Sequence, residues 1–141
     1  MSSRLYFARH GESSANRSRA FANREGAFPL TALGISQARE VAVRLRSAGV
    51  TVIRSSPLLR AVQTAEIVAE ALDLPFTVAD GLREFDVGRW EGTNLAEGWA
   101  EYEAVSHAWL AGDDSARVGG GESRTDVCAR MALLIQELGR R

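Results

Sequence analysis

Arg9, His10, Gly11 and Glu12 follow an apolar run, Leu5-Tyr6-Phe7-Ala8. A buried strand that ends on a cation, an imidazole and a glycine can present a site to an anion. Neutral imidazole attacks phosphorus well near neutral pH, because its unperturbed pKa is about 6.5. Arginine gives paired, charge-assisted hydrogen bonds to phosphate oxygens, and Gly11 lets the backbone approach a ligand closely. Two distant stretches carry compatible groups: Arg54-Ser55-Ser56 with Arg60 one turn on, and Glu84 in the loop GLREFDVGRWEGTN. A carboxylic acid positioned on an alkoxide leaving group contributes on the order of a hundredfold or more. With two histidines, one cysteine and no HExxH or paired-cysteine motif, the sequence suggests no metal and no cofactor.

The elements that must position these groups follow from periodicity. Ser3 to Ala8 reads as a short strand, and Arg17 to Pro29 as an irregular polar loop. Apolar Ala38, Val41, Ala42 and Leu45 recur at helical spacing, between an N-cap at Thr31 and a stop at Gly49. Val50–Ser56 is a short β-branched strand. A helix runs from Pro57, placed in its first turn, to about Leu72, with Val62, Ala65, Val68, Ala69 and Leu72 inward. LPFTVAD is a third strand and Leu95–Leu110 a weakly patterned helix. SRTDVCARMALLIQELG is a last amphipathic helix with Val127, Met131, Leu134, Ile135 and Leu138 on one face. Strand–helix alternation predicts an α/β three-layer sandwich, a mainly parallel sheet flanked by helices. No repeat or linker divides residues 1–141, so a single domain is expected. Ligands of such sheets sit beyond the carboxyl ends of the strands, which groups His10, Arg60 and Glu84.

RHGES with Asn16, PLTALGISQA, SSPLLRAVQTAEIVA, LREFDVGRWEG and GGGES together resemble the histidine phosphatase superfamily, the phosphoglycerate-mutase-like group. The resemblance implies that His10 is a nucleophile forming a phosphohistidine. Arg9 and Arg60 would bind the phosphoryl group, and Glu84 would be the general acid. It further implies that Asn16 lines the phosphate pocket and that Glu122 and Ser123 stand near the substrate mouth. The implied activity is metal-independent hydrolysis of a small-molecule phosphate monoester, since LREFDVGRWEG resembles the phosphatase branch. Phosphoglycerate-mutase-type transfer is the alternative. The family pattern also holds a second histidine, usually in Ser-His-Gly, on a strand that lies inside the sheet near the first. The chain reaches Arg141 without it. The expected fold is therefore incomplete at its C-terminus, as a fragment, through a lost C-terminal portion, or as a homodimer that lends a strand. A catalytically impaired phosphate-binding or interaction module is a further alternative on the same ground.

Other residues carry blander expectations. Alternation along the strand can point Arg54 away from the site, and Ser55 is open between phosphate ligand and helix cap. Asp86 and Glu91 compete with Glu84 for the acid. Trp90, Trp99 and Trp109 are expected to pack, His107 to lie on a helix surface, Asp113 and Asp114 in solvent, and Cys128 in the core. All 17 basic residues are arginine and the net charge is −1, so neither nucleic acid nor membrane is indicated as a partner. A cytoplasmic location is the default expectation.

Overall fold

A helix pair and a short parallel ladder frame His10. The computed structural model describes residues 4–24 and 26–139. In chain order these form α1 (Ser14–Ser18), α2 (Ala32–Leu45), β1 (Ile53–Ser55), α3 (Leu59–Leu72), β2 (Phe76–Val78), α4 (Ala96–Leu110) and α5 (Arg124–Gly139). Single 3₁₀ turns lie at Asp80–Leu82 and Gly88–Trp90. β1 and β2 run parallel with Ile53 opposite Phe76 and Ser55 opposite Val78, and α3 is the crossover between them, as a parallel pair requires. The expected α/β class with helices flanking a parallel sheet is what forms.

Two cores hold the chain. Ala38 and Ala42 of α2 are buried, as are Ala65, Val68 and Ala69 of α3, and the two helices pack together. Small side chains at such a contact let the backbones come close. The second core is aromatic: buried Phe21, Val87 and Val118 carry Phe85, Trp90, Trp99, Tyr102 and Val105 around them. Phe21 stacks on Trp99 at 4.3 Å, and Phe85 meets Trp109 edge-on at 5.1 Å. All three tryptophan N–H groups are satisfied, by Glu101, the Arg19 carbonyl and the Ala116 carbonyl. The tryptophans pack, as expected.

The expected first strand does not form. Ser3 lies outside the described residues, and residues 4–8 pair with no described segment. Leu5, Tyr6 and Phe7 are exposed, Phe7 by 69%. Strand propensity describes fitness for a pleated, half-buried surface and supplies no ladder partner. Among the described residues the sheet holds two strands. α1, which is not expected from the sequence, runs into the first two residues of the expected loop Arg17–Pro29, whose Glu25 lies outside the described residues. It forms because Ser13 and Asn16 close a capping box on each other's backbone N–H. α2 ends at Leu45, before Gly49, and α3 starts at Leu59 with Leu58 as N-cap, so Pro57 precedes the first turn.

Cys128 is exposed, against expectation, and α5 has no buried residue. Val127, Met131, Leu134 and Leu138 are half-buried. One residue further round the helix turns about 100°, which puts Cys128 and Ile135 outside that stripe. His107 is exposed on α4. Asp113 and Asp114 are exposed but engaged: Asp113 accepts from Ser115, and Asp114 pairs with Arg124 at 2.9 Å. No helix among the described residues is long and apolar enough to cross a membrane.

Candidate active site

The RHGE segment is clamped between α2 and α3. Gly11 packs so closely on Gly34, in the first turn of α2, that a Cβ on either would collide with backbone of the other segment. The Gly11 N–H donates to Thr64 Oγ1 at 3.2 Å, and the Thr64 hydroxyl donates to the Arg60 carbonyl at 2.7 Å. Glu12 accepts from the Thr31 backbone and hydroxyl, while its own N–H donates to Gln37. Thr31 also caps α2, as expected. These bonds leave His10 half-buried at the tip of the segment.

Arg60 completes the pair. It is 6% exposed. Its Nε–H donates to His10 Nε2 at 2.9 Å, and one terminal N–H donates to the Ala22 carbonyl at 2.7 Å. An arginine N–H can only donate, so Nε2 must present its lone pair. The ring proton then sits on Nδ1, which donates to the Gly11 carbonyl at 2.7 Å. Burial holds the His10 pKa below 6.5, with the Arg60 and Arg9 cations pushing the same way against the Gly11 hydrogen bond and the Glu84 charge. The lowered pKa and the hydrogen bond from Arg60 both favour the neutral imidazole, with its Nε2 lone pair fixed.

Arg9 is exposed on one wall of an open cleft of about 390 Å³, which His10, Gly11, Glu12, Asn16, Gln37, Ala38 and Val41 also line. Asn16 borders this cleft, but its side-chain carbonyl already accepts from Ser13. Glu84 is exposed, and its charge is felt at His10, Arg60 and Tyr102. Its rivals are engaged: Asp86 accepts both Arg24 guanidinium bonds, at 3.0 and 2.9 Å. Glu91 accepts from the Asn23 and Arg24 backbones. Of the three carboxylates in the loop, Glu84 is the one whose hydrogen bonding among the described residues is limited to a weak 3.4 Å contact from its neighbour's N–H.

The remaining expected residues are not brought to His10 by any contact. Glu122 accepts both Arg130 bonds, at 2.8 and 3.0 Å. Ser123 is buried and caps α5, its hydroxyl accepting from Asp126 N–H and its N–H donating to Asp126. Arg54 turns to Thr77 and Glu137, lining a separate cleft of about 680 Å³ under α5 that holds none of the other expected site residues. Ser55 bonds the Ser56 carbonyl and caps nothing. Sequence reasoning missed Thr64, although it stands four residues after Arg60, on the same helix face. It also missed Tyr102, whose phenol pKa is raised by burial and by Glu84. Among the described residues, no three His, Cys, Asp or Glu side chains converge as metal ligands.

Residues 5–141 match the family model of the histidine phosphatase superfamily, branch 1, and the chain belongs to that superfamily. It is 39% identical over 127 residues to a probable phosphoglycerate mutase GpmB of Proteus mirabilis, which covers 90% of this chain and 59% of that relative. A mycobacterial glucosyl-3-phosphoglycerate phosphatase in complex with VO3 superposes with a TM-score of 0.78 at 34% identity, over 92% of this chain and 61% of its own. An alpha-ribazole phosphatase from Shigella flexneri gives 0.72 at 28% identity, over 93% and 64%. The chain thus spans about three-fifths of the length of these relatives.

Proposed function

We propose that the site catalyses metal-independent hydrolysis of a phosphate monoester through a phosphohistidine on His10. The observation that carries this reading is the Gly11–His10–Arg60 alignment, which fixes a neutral imidazole with its Nε2 lone pair turned toward a buried cation. An incoming phosphoryl group replaces the Arg60 Nε–H at Nε2, and the guanidinium, with Arg9, donates to its oxygens. Nε2 then attacks phosphorus, forming the N–P bond as the ester P–O bond breaks. Glu84 gives its proton to the departing alkoxide. Water attacks the phosphohistidine, Glu84 takes the proton back, and inorganic phosphate leaves with His10 restored. Stabilisation of the equatorial oxygens by the arginines is the electrostatic part of catalysis.

Rapid acid-free quenching after mixing with an aryl phosphate should trap an acid-labile phosphoenzyme mapped to His10. His10→Ala should abolish both the label and hydrolysis. Label on another residue, or hydrolysis by His10→Ala at the parent rate, refutes the assignment. The curated relatives' mutase names favour transfer as a second reading. It requires the phosphoryl group to pass to a second substrate hydroxyl, and tracing it from phosphoglycerate to water or to an isomer decides between the two.

A further inference from the structure

Among the described residues Glu84, the acid of the proposed hydrolysis, has at its carboxyl just the weak 3.4 Å contact from the Phe85 N–H, while the residues around it are held. On one side the Gly81 carbonyl accepts from Arg130 at 2.7 Å, and Arg83 reaches the Arg24 carbonyl at 3.3 Å. On the other side the Phe85 carbonyl accepts from Asn23 at 2.9 Å. Asp86 is pinned twice by one residue: its N–H donates to Glu122 Oε2 and its carbonyl accepts from the Glu122 N–H, both at 2.9 Å. Glu122 is in turn fixed by both bonds of the Arg130 fork. The loop carrying Glu122 lies directly on the acid loop. A Cβ on Gly121 would strike the Asp86 carbonyl, and one on Gly88 would strike the Gly119 carbonyl. The GGGES block therefore has a use here that needs no ligand.

We propose that Glu122, locked by Arg130, is a positioning residue that holds the Glu84 carboxyl toward His10, and not a substrate ligand. Arg130 braces both flanks of the acid, Gly81 directly and Asp86 through Glu122. Losing the brace loosens the backbone at Gly81 and Asp86 on either side of Glu84, while Phe85 keeps its place in the aromatic core. The inference rests on Glu84 facing His10, as the proposed function requires.

The test reads the Glu84 position at His10 itself, and needs no turnover. The chain has two histidines, so the His10 ring signal can be followed by proton NMR through a pH titration of the 141-residue chain. Glu84→Gln removes a charge that raises the His10 pKa, so its titration moves down. Glu122→Gln, which keeps an acceptor for the Asp86 N–H but weakens the Arg130 pair, moves it down as well. In the Glu84→Gln background Glu122→Gln adds nothing, because it acts through Glu84. Arg130→Lys falls between the parent and Arg130→Gln, which should match Glu122→Gln; this series also serves if Glu122→Gln fails to fold. A parent-like His10 titration in folded Glu122→Gln and Arg130→Gln overturns the inference. So does a shift that persists undiminished without Glu84. If Glu84→Gln itself leaves His10 unmoved, the placement of the acid fails instead, and with it the proposed function's proton donor. Weaker binding of inorganic phosphate in Glu122→Gln, with the His10 titration unchanged, would assign Glu122 to the ligand.

Discussion

Arg60→Ala separates the two things one side chain does. In the folded chain the guanidinium makes two charge-assisted bonds, to His10 Nε2 and to the Ala22 carbonyl. Each such bond is worth about 1.5–3 kcal/mol where it is made. Burial opposes the charge and lowers the Arg60 pKa, so part of this is spent on desolvation and the net loss of stability is smaller, about 1–3 kcal/mol. The effect on the anion is larger in consequence. Phosphate loses a buried bidentate donor, which weakens its binding about ten- to a hundredfold. Turnover, where charge on the oxygens grows, falls about a hundredfold or more. The pH dependence supplies the check. Burial first, then the Arg60 cation, holds His10 below 6.5. Removing the cation and opening its space to water relieves both, so the acid limb of kcat/KM and the His10 NMR titration both rise toward 6.5. Arg60→Lys keeps a positive charge without the fork, so it should retain most of the depressed titration and recover little of the phosphate affinity. Calorimetry with inorganic phosphate and NMR on the three proteins settle the matter. An Arg60→Ala chain that binds phosphate like the parent, or whose His10 titration stays put, would refute the reasoning.

Glu84→Gln should slow hydrolysis of alkyl esters tenfold or more while sparing activated aryl esters, because only poor leaving groups need the proton; equal losses on both would remove Glu84 from that role. A strong chelator should leave activity unchanged and vanadate should inhibit, read with an aryl phosphate; loss on chelation restored by magnesium or zinc points to other chemistry. Gly11→Ala forces a Cβ into the Gly34 backbone and should cost about 1–3 kcal/mol by denaturant titration, as overpacking does; a neutral result means that the contact is loose. The Arg130 fork holds the Glu122 carboxyl below its usual value of 4.5; burial opposes it, and the Asp86 N–H and the Arg130 charge add to the lowering against the Asp86 charge. Its folded pKa is depressed, so its contribution to stability is complete above about pH 4.5 and is lost as the pH falls through the folded value. Glu122→Gln should therefore flatten the acid side of the stability profile below pH 4.5 and leave its slope near pH 7 unchanged.

Some of this was legible because local spacing and chemistry agree. Thr31 caps α2, and Ala38, Ala42, Ala65 and Val68 face inward because helical periodicity is intrinsic to the chain. His10 and Arg60 could be paired from sequence because both are expected at strand ends. Arg60 does follow β1, while Gly11 is held against Thr64 and Gly34 with no ladder before it among the described residues. Glu84 is singled out among three carboxylates by the family resemblance; the structure adds that Arg24 takes Asp86 and the 23–24 backbone takes Glu91. Glu122 shows the limit most clearly. A carboxylate that faces a ligand and one that faces Arg130 are the same letter, and the deciding arginine stands eight residues further along α5. Leu5–Ala8 has a strand's composition, but a strand is a relation to a neighbour and composition names none.

The site is built in two halves, and a tetrapeptide joins them. His10, Thr64 and Arg60 belong to the helix-and-ladder half, where small buried residues set the spacing. Glu84 belongs to the aromatic half, on a loop seated over Val87 and Phe85. Phe21 is anchored in the aromatic core and exchanges backbone bonds with Gly92 and Thr93. The next residue, Ala22, turns its carbonyl the other way to receive Arg60. Asn23 and Arg24 then return to the acid loop, at Phe85, Asp86 and Glu91. Four consecutive residues thus bond alternately to the Glu84 half, the His10 half and the Glu84 half again. This short span of backbone ties the two halves together, beside the chain that runs from β2 through Ala79, bonded to the Ser55 carbonyl, into the loop of Glu84. That explains why the segment is irregular and yet buried at Phe21 and Ala22: a helix or strand there would turn successive carbonyls and N–H groups to its own partners, and leave Arg60 and the acid loop unbound.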